Sequence, residues 1–426
     1  MARRNSHSLP GPDDVLRETL PNGITLLARE NFASPAVVVN GYLEAGSEDE
    51  SAAQAGLASF TGDVMERGTH TRSFRQLYEE VESIGATFGL NAGTHTTGFG
   101  GKGLAEHLPV LLDVLHDIIR NPAFEPQQVE KARAEILTDF RERAHDTGRM
   151  ASLAFHELLY PQAHPYHRSD SGYPDTVAPL TREDLQQFHA RHFAPQGMVI
   201  VIVGGIKASE ALKAARDIFG GWEATRPARA PLPDIPALTG RREAHIAIAD
   251  KTQSDIRLGW VGPARRDPDF LACYLANTVL GVFGMMGRLG VSVREANGLA
   301  YYVYSSLDGG IGPGPWRVIA GVNPANVARA IDLSLDEIRR LREEPVPEEE
   351  LNDSKAYLTG SLPLRLETNE GVARALINIE RHGLGLDYLQ RYREQISSIT
   401  AAEVQAAVQR WLDPENFAVA TAGPEG

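Results

Sequence analysis

The tightest constraint on this chain is that it repeats itself. Residues 180–204 read as a capped helix, a proline-containing turn and a fully apolar strand, and residues 399–423 read the same way. With no gap and a constant offset of 219, Thr181 meets Thr400, Asp184 meets Glu403, Arg191 meets Arg410, Pro195 meets Pro414 and Gly204 meets Gly423. A second trace, at an offset of 221, aligns Pro126 with Pro347 and Leu137-Thr138 with Leu358-Thr359. This is an internal duplication, so the chain folds as two similar halves. In each half strand pairs come first, helices follow and a strand closes, which predicts an α+β fold: a mainly antiparallel sheet with helices packed on one face.

The punctuation between the halves sets the domains. Residues 1–14, rich in Pro, Gly and Ser, read as a flexible arm, and residues 15–222 as the first α+β domain. Pro227, Pro231, Pro233 and Pro236 make residues 223–242 a semi-rigid linker, and residues 243–426 form the second domain. Two such halves can face each other as one half of a clamshell chamber. Within the first half the pattern predicts strands after Leu20-Pro-Asn-Gly23 and over Ala36–Leu43, helices over Ala52–Met65 and Ser73–Ile84, and two strands between Gly85 and Gly100. Leu108, Leu111, Leu112, Leu115, Ile118 and Ile119 fall at helical spacing, and long helices follow from Pro126 to Arg143 and from Met150 to Leu159.

Composition narrows the function classes. A formal net charge of −14 leaves no basic excess for nucleic acid or an anionic membrane. No segment approaches the roughly 20 apolar residues of a membrane span. The single cysteine, Cys273, permits no intrachain disulfide and reads as a buried small hydrophobe. Arg3 and Arg4 are followed by no apolar run, so the N-terminus is not a signal peptide; this implies a cytoplasmic protein, or a periplasmic one whose export signal has been removed.

Chemistry concentrates between Val293 and Ser306. The stretch opens as the end of a helix carrying Arg294 and Glu295, turns at Asn297-Gly298, and leaves as a strand through Tyr301, Val303 and Ser305. A guanidinium and a phenol seven residues apart across such a turn can converge on one peptide carbonyl or carboxylate; the alternative is a solvent-facing Arg and a half-buried sheet Tyr. His164 with His167, and His189 with His192, have spacings that zinc can use but no third ligand in a recognisable pattern, and read as surface or packing residues. Gly281–Gly290 is glycine-rich without the Gly-Lys-Ser/Thr ending of a phosphate loop, and Gly309–Pro315 reads as a loop between strands.

Leu20-Pro-Asn-Gly, Gly46-Ser, Asn91-Ala-Gly-Thr, His164-Pro-Tyr, the duplicated halves and Arg294-Glu-Ala-Asn-Gly-Leu-Ala-Tyr301 follow in an order and spacing that resembles the pitrilysin and mitochondrial processing peptidase family of zinc peptidases, the inverzincins. The family's H-x-x-E-H motif belongs on the first helix after Gly46-Ser47, two His binding zinc and the Glu serving as general base. The flanking Gly56-Leu-Ala and Gly68-Thr put Ser59 and Asp63 at the ligand positions and Gly62 at the base position; the third ligand falls near Asp139. With no imidazole or thiolate there, the resemblance implies no metal in this chain and no catalysis by it alone. It also implies that Tyr301 donates a hydrogen bond to the substrate carbonyl and that Arg294 orients Tyr301 or the peptide. The expected partner is then a homologous H-x-x-E-H subunit that holds zinc, the two forming a heterodimer that cleaves peptides. The rivals are a purely structural or peptide-binding homologue, like the scaffold subunits of respiratory complexes, and an independent metallopeptidase with a relocated site.

Overall fold

The computed structural model describes residues 9–282 and 287–425. Residues 1–8 of the expected arm and residues 283–286 of the glycine-rich stretch lie outside them. From Pro10 the chain is anchored: Pro10 and Gly11 are buried, and Asp14 pairs with Arg29 at 2.8 Å.

The first half runs β1 (Val15–Thr19), β2 (Thr25–Glu30), β3 (Ala36–Leu43), α1 (Leu57–Met65), α2 (Phe74–Glu82), β4 (Thr87–Ala92) and β5 (Thr97–Leu104). It continues with α3 (Leu108–Arg120), α4 (Pro126–Arg143), α5 (Thr147–Leu159), α6 (Pro174–Val177), α7 (Arg182–His192), β6 (Val199–Gly204) and α8 (Ala208–Phe219). The second half runs β7 (Arg242–Ala247), β8 (Ser254–Val261), α9 (Phe270–Gly281), β9 (Ala300–Gly309) and β10 (Pro313–Val322). Then come α10 (Val327–Glu343), α11 (Glu348–Arg365), α12 (Asn369–His382), α13 (Tyr388–Ser398), α14 (Ala401–Trp411) and β11 (Ala418–Gly423).

The duplication maps element onto element. Thr181 and Thr400 cap α7 and α14 with reciprocal boxes: Thr181 N–H donates to Asp184 at 2.8 Å and Thr400 N–H to Glu403 at 2.7 Å. The offset of 219 carries β6 onto β11 end to end. The first sheet has the order β1-β2-β6-β3-β5-β4 and the second β7-β11-β8-β10-β9. In both, the closing strand of the half pairs in parallel with one neighbour, and every other pairing is antiparallel. Among the described residues the additional edge strand β1 has no counterpart in the second sheet. Helix α1 begins five residues later than its apolar pattern suggests, because Gly56 turns left-handed (φ 96°) and a side chain there would strike Ser171 O.

The chain divides into two compact units that cut across the halves. The first comprises residues 1–138, 169–231 and 362–391, and the second residues 139–168, 232–361 and 392–426. Each unit thereby receives a helix from the other half. In the first, every residue of β6 is buried. Leu111 of α3 closes over Gly101 on one sheet face, while Glu370 of α12 meets Lys102 on the other. In the second, α5 covers β11 and β7 through Ala154, Phe155, Leu159 and Tyr160. On the opposite face of this sheet, Asn277 of α9 accepts from Trp316 Nε1 at 2.9 Å and from Ser305 Oγ at 3.0 Å. A strand buried on both faces needs two covers, and the exchanged helices supply the second.

Candidate functional site

Helix α1 is held by its start. Glu50, nearly buried, accepts from the Gly56 and Ala58 amides at 2.9 and 2.8 Å and neutralises the open N-terminal donors. The turn before it is fixed by contact between two sequence motifs: the Ser47 and Glu48 amides donate to Gly93 O and Thr94 O at 3.0 and 2.9 Å. A side chain at Gly46 would lie 2.5 Å from Gly93 O, so the approach requires glycine.

On α1 itself Ser59 is half-buried, Gly62 is buried and Asp63 retains an exposed surface. Gly62 faces β4, where a Cβ would meet Ala92 Cβ at 3.7 Å, an ordinary contact. The Asp63 carboxyl is pushed up to about 6, chiefly by desolvation, against the pull of Arg67 and with a further push from Glu135. Glu66, one turn on, is also pushed up to about 6, again by desolvation first, although it accepts from the Leu90 amide of β4.

Asp139, in α4, is bound by Arg149 of α5 through two hydrogen bonds, 3.0 and 2.6 Å, and the guanidinium holds its carboxyl below the usual aspartate range. A hydroxyl, a glycine and an aspartate on α1, with the remaining carboxylate already paired to an arginine, do not fit zinc, which takes imidazole, thiolate or a free carboxylate. Among the described residues no three His, Cys, Asp or Glu side chains are grouped as metal ligands.

Arg294 and Tyr301 lie in the second unit. Arg294 ends a π-helical turn, Gly290–Glu295, whose inner side is fixed by buried Val293. The turn closes on left-handed Gly298 (φ 63°), with Gly298 N donating to Arg294 O and Leu299 N to Val293 O at 2.9 and 3.0 Å. Strand β9 then begins with an irregularity. Gly321 of β10 pairs with Tyr302 and Val322 with Ala300, so Tyr301 is an extra residue without a partner in the ladder. Such a bulge re-aims its side chain, and Tyr301 is 59% exposed. The Arg294 side chain makes no hydrogen bond or ion pair among the described residues.

The histidines singled out by spacing pack instead of converging. His164 is fully buried and stacks on Tyr160; His167 Nδ1 lies 2.9 Å from Tyr160 O. His189 Nε2 lies 2.7 Å from Ile119 O, and burial lowers the pKa of His189 and of His192. Cys273 is buried, and desolvation pushes its thiol up.

Missed by pattern reading is a polar row beside the bulge. Asp255 on β8 is 2% exposed and takes the Tyr302 phenol, with Thr147 Oγ1 at 2.6 Å and Gln253 Nε2 at 3.1 Å. The available signal was an Asp and an Arg, Asp255 and Arg257, on either side of Ile256 in a strand that runs on through Leu258, Trp260 and Val261.

Two family models match the chain. Residues 26–163 match "Insulinase (Peptidase family M16)" and residues 179–358 match "Peptidase M16 inactive domain". The chain is 28% identical over 416 residues to an uncharacterized zinc protease of Mycobacterium bovis, covering 96% of this chain and 93% of that protein. It is 28% identical over 278 residues to a probable mitochondrial-processing peptidase subunit beta of Arabidopsis thaliana, covering 65% of this chain and 52% of that protein. A solved peptidase M16 inactive domain from Pseudomonas fluorescens has 25% identity and a TM-score of 0.89, over 97% of this chain and 98% of that one.

Proposed function

The chain belongs to the M16 peptidase family, and from that premise we propose that it is the non-catalytic, substrate-binding subunit of a heterodimeric zinc metallopeptidase. The reading rests on one contrast. The positions for metal and base hold Ser59, Gly62, Asp63 and an Arg-paired Asp139, while the second unit presents an exposed, bulge-borne Tyr301 and an Arg294 that is unpaired among the described residues. A homologous partner with H-x-x-E-H would hold the zinc, which would supply a Lewis acid for the scissile carbonyl. This chain binds the peptide. As the carbonyl oxygen gains charge, the Tyr301 hydroxyl donates a hydrogen bond to it, and Arg294 orients the peptide through a carbonyl or carboxylate.

The test uses fluorescein-labelled casein fragments with this chain alone, the H-x-x-E-H subunit alone, and both together, with and without a chelator. Chelator-sensitive cleavage appears only in the mixture, and Tyr301→Phe lowers its kcat by roughly a hundredfold or more. Wild-type cleavage by Tyr301→Phe removes the role of the phenol. A mixture that neither cleaves nor co-elutes leaves a structural or peptide-binding homologue.

A further inference from the structure

Tyr301 sits where its own strand holds it least. Strand β9 is the outer strand of its sheet, paired among the described residues to β10 alone, and at the bulge even that ladder skips Tyr301. The next residue, Tyr302, compensates. Gly321 of β10 pairs with Tyr302 on one side and with Asp255 of β8 on the other, so the three residues form one row across three strands. A Cβ at position 321 would lie 2.4 Å from Tyr302 Cε1 and 2.7 Å from Gln253 Nε2. The missing side chain is therefore the corridor through which the Tyr302 ring passes over β10 to donate its hydroxyl proton to Asp255.

Asp255 is itself immobilised. Thr147 Oγ1, from the first turn of α5, donates to Oδ2, and Arg257 Nη1 stands 3.5 Å from Oδ1. Arg257 is anchored in turn on Gly148 O at 3.0 Å and Ser152 Oγ at 2.9 Å. Burial and the neighbouring carboxylate push the Tyr302 phenol far up, so it remains a donor to an anion, the stronger class of hydrogen bond. The row thus ties the residue after the bulge to a helix and an inner strand, while Leu299 N to Val293 O, 3.0 Å, ties the chain before it.

We propose that the Tyr302–Asp255 bond, braced by Thr147, positions Tyr301: it fixes the bulge so that the Tyr301 phenol is held in a single orientation toward a bound peptide. Tyr302, Asp255 and Thr147 are positioning residues that touch no substrate. The catalytic consequence rests on the function proposed above; the ordering of Tyr301 does not.

The experiment separates the two. 3-Fluorotyrosine is placed at position 301 of the full chain and read by fluorine NMR, in otherwise wild-type protein and with Tyr302→Phe or Thr147→Val. The reference gives one narrow resonance, and both variants broaden or split it. In the mixed casein assay Tyr302→Phe then lowers kcat about tenfold with KM unchanged, the size expected for one hydrogen bond to a charged group. A narrow, unshifted resonance in both folded variants overturns the proposal whatever the activity. So does wild-type kcat in Tyr302→Phe when Tyr301→Phe is inactive. If Tyr301→Phe is fully active while the resonance broadens in Tyr302→Phe, the tie stands and the function proposed for Tyr301 falls.

Discussion

The duplicated sheets answer one problem in two ways. The row Val203–Val38–Lys102–Thr87 in the first sheet occupies the place of Ala422–Asp255–Gly321–Tyr302 in the second, by strand order and by register. Each row meets the first turn of the helix received from the other half. In the first unit Lys102 reaches Glu370 of α12 at 2.5 Å, an ion pair 55% and 37% exposed. In the second, Thr147 of α5 donates to a buried Asp255 that also holds Tyr302 and faces Arg257. One side has a solvated charge pair, which competes with water and contributes little. The other is built around two buried charged side chains, Asp255 at 2% and Arg257 at 8% exposed, which have no water to fall back on and depend on their partners. The same architecture therefore carries a replaceable tie in one unit and an obligatory one in the unit that bears Arg294 and Tyr301.

The largest effect expected from that difference is at Asp255. Asp255→Ala leaves the Arg257 guanidinium buried beside no carboxylate and the Tyr302 and Thr147 hydroxyls without their acceptor, and should cost about 3–5 kcal/mol. Trp260, Trp316 and Trp411 all belong to the second unit and only Trp222 to the first, so urea unfolding followed by tryptophan fluorescence reads the second unit. A loss below about 1 kcal/mol would place Asp255 with the solvated pairs and erase the contrast.

Gly321 sharpens the comparison from the other direction, because the equivalent position in the first sheet is Lys102. Gly321→Ala keeps every polar group but sets a methyl 2.4 Å from the Tyr302 ring. The ring must leave the corridor, and the expected cost is about 1–3 kcal/mol in the same unfolding measurement. Combined with Tyr302→Phe the two losses should not add, since both break one contact. Additive losses would mean that the glycine serves only its strand.

Much of this fold was legible because its signals are local. Thr181 and Thr400 cap helices three residues before an acidic partner, Pro126 opens a helix that runs to Arg143, and an offset of 219 superimposes β6 on β11. The exchange of α5 and α12 was not legible, because an apolar helix face does not say which of two similar sheets it will cover. At the candidate site the flanking Gly56 and Gly68 set Ser59, Gly62 and Asp63 on one helix, and all three lie in α1. The arginine that occupies Asp139 comes from the next helix, and no spacing rule selects Arg149 among its neighbours. The bulge at Tyr301 exists only relative to β10, so no reading of residues 293–306 alone contains it. Leu20-Pro-Asn-Gly23 shows why a motif can be informative for a structural reason: Asn22 Nδ2 donates to Phe219 O, Gly220 O and Trp222 O, tying the second strand to the end of its half.

The smallest predicted effect lies in the first row. The Glu370 carboxyl is held below the usual glutamate range, first by its hydrogen bond from Lys102 and then by a backbone amide. A depressed native pKa contributes stability that is fully present above the unfolded value and is lost as pH falls through the folded one, since the unfolded chain then binds the proton more readily. Glu370→Gln should therefore cost less than about 1 kcal/mol at pH 7, because solvent screens a pair this exposed, and nothing at a pH where both states are protonated. Hydrogen exchange of the α12 amides, measured at neutral pH and at pH near 3, reports this unit without the tryptophan signal of the other. A neutral-pH loss as large as that of Asp255→Ala would mean that the first row is as obligatory as the second. The difference between the sheets would then lie in the residues of the bulge and not in the ties beneath it.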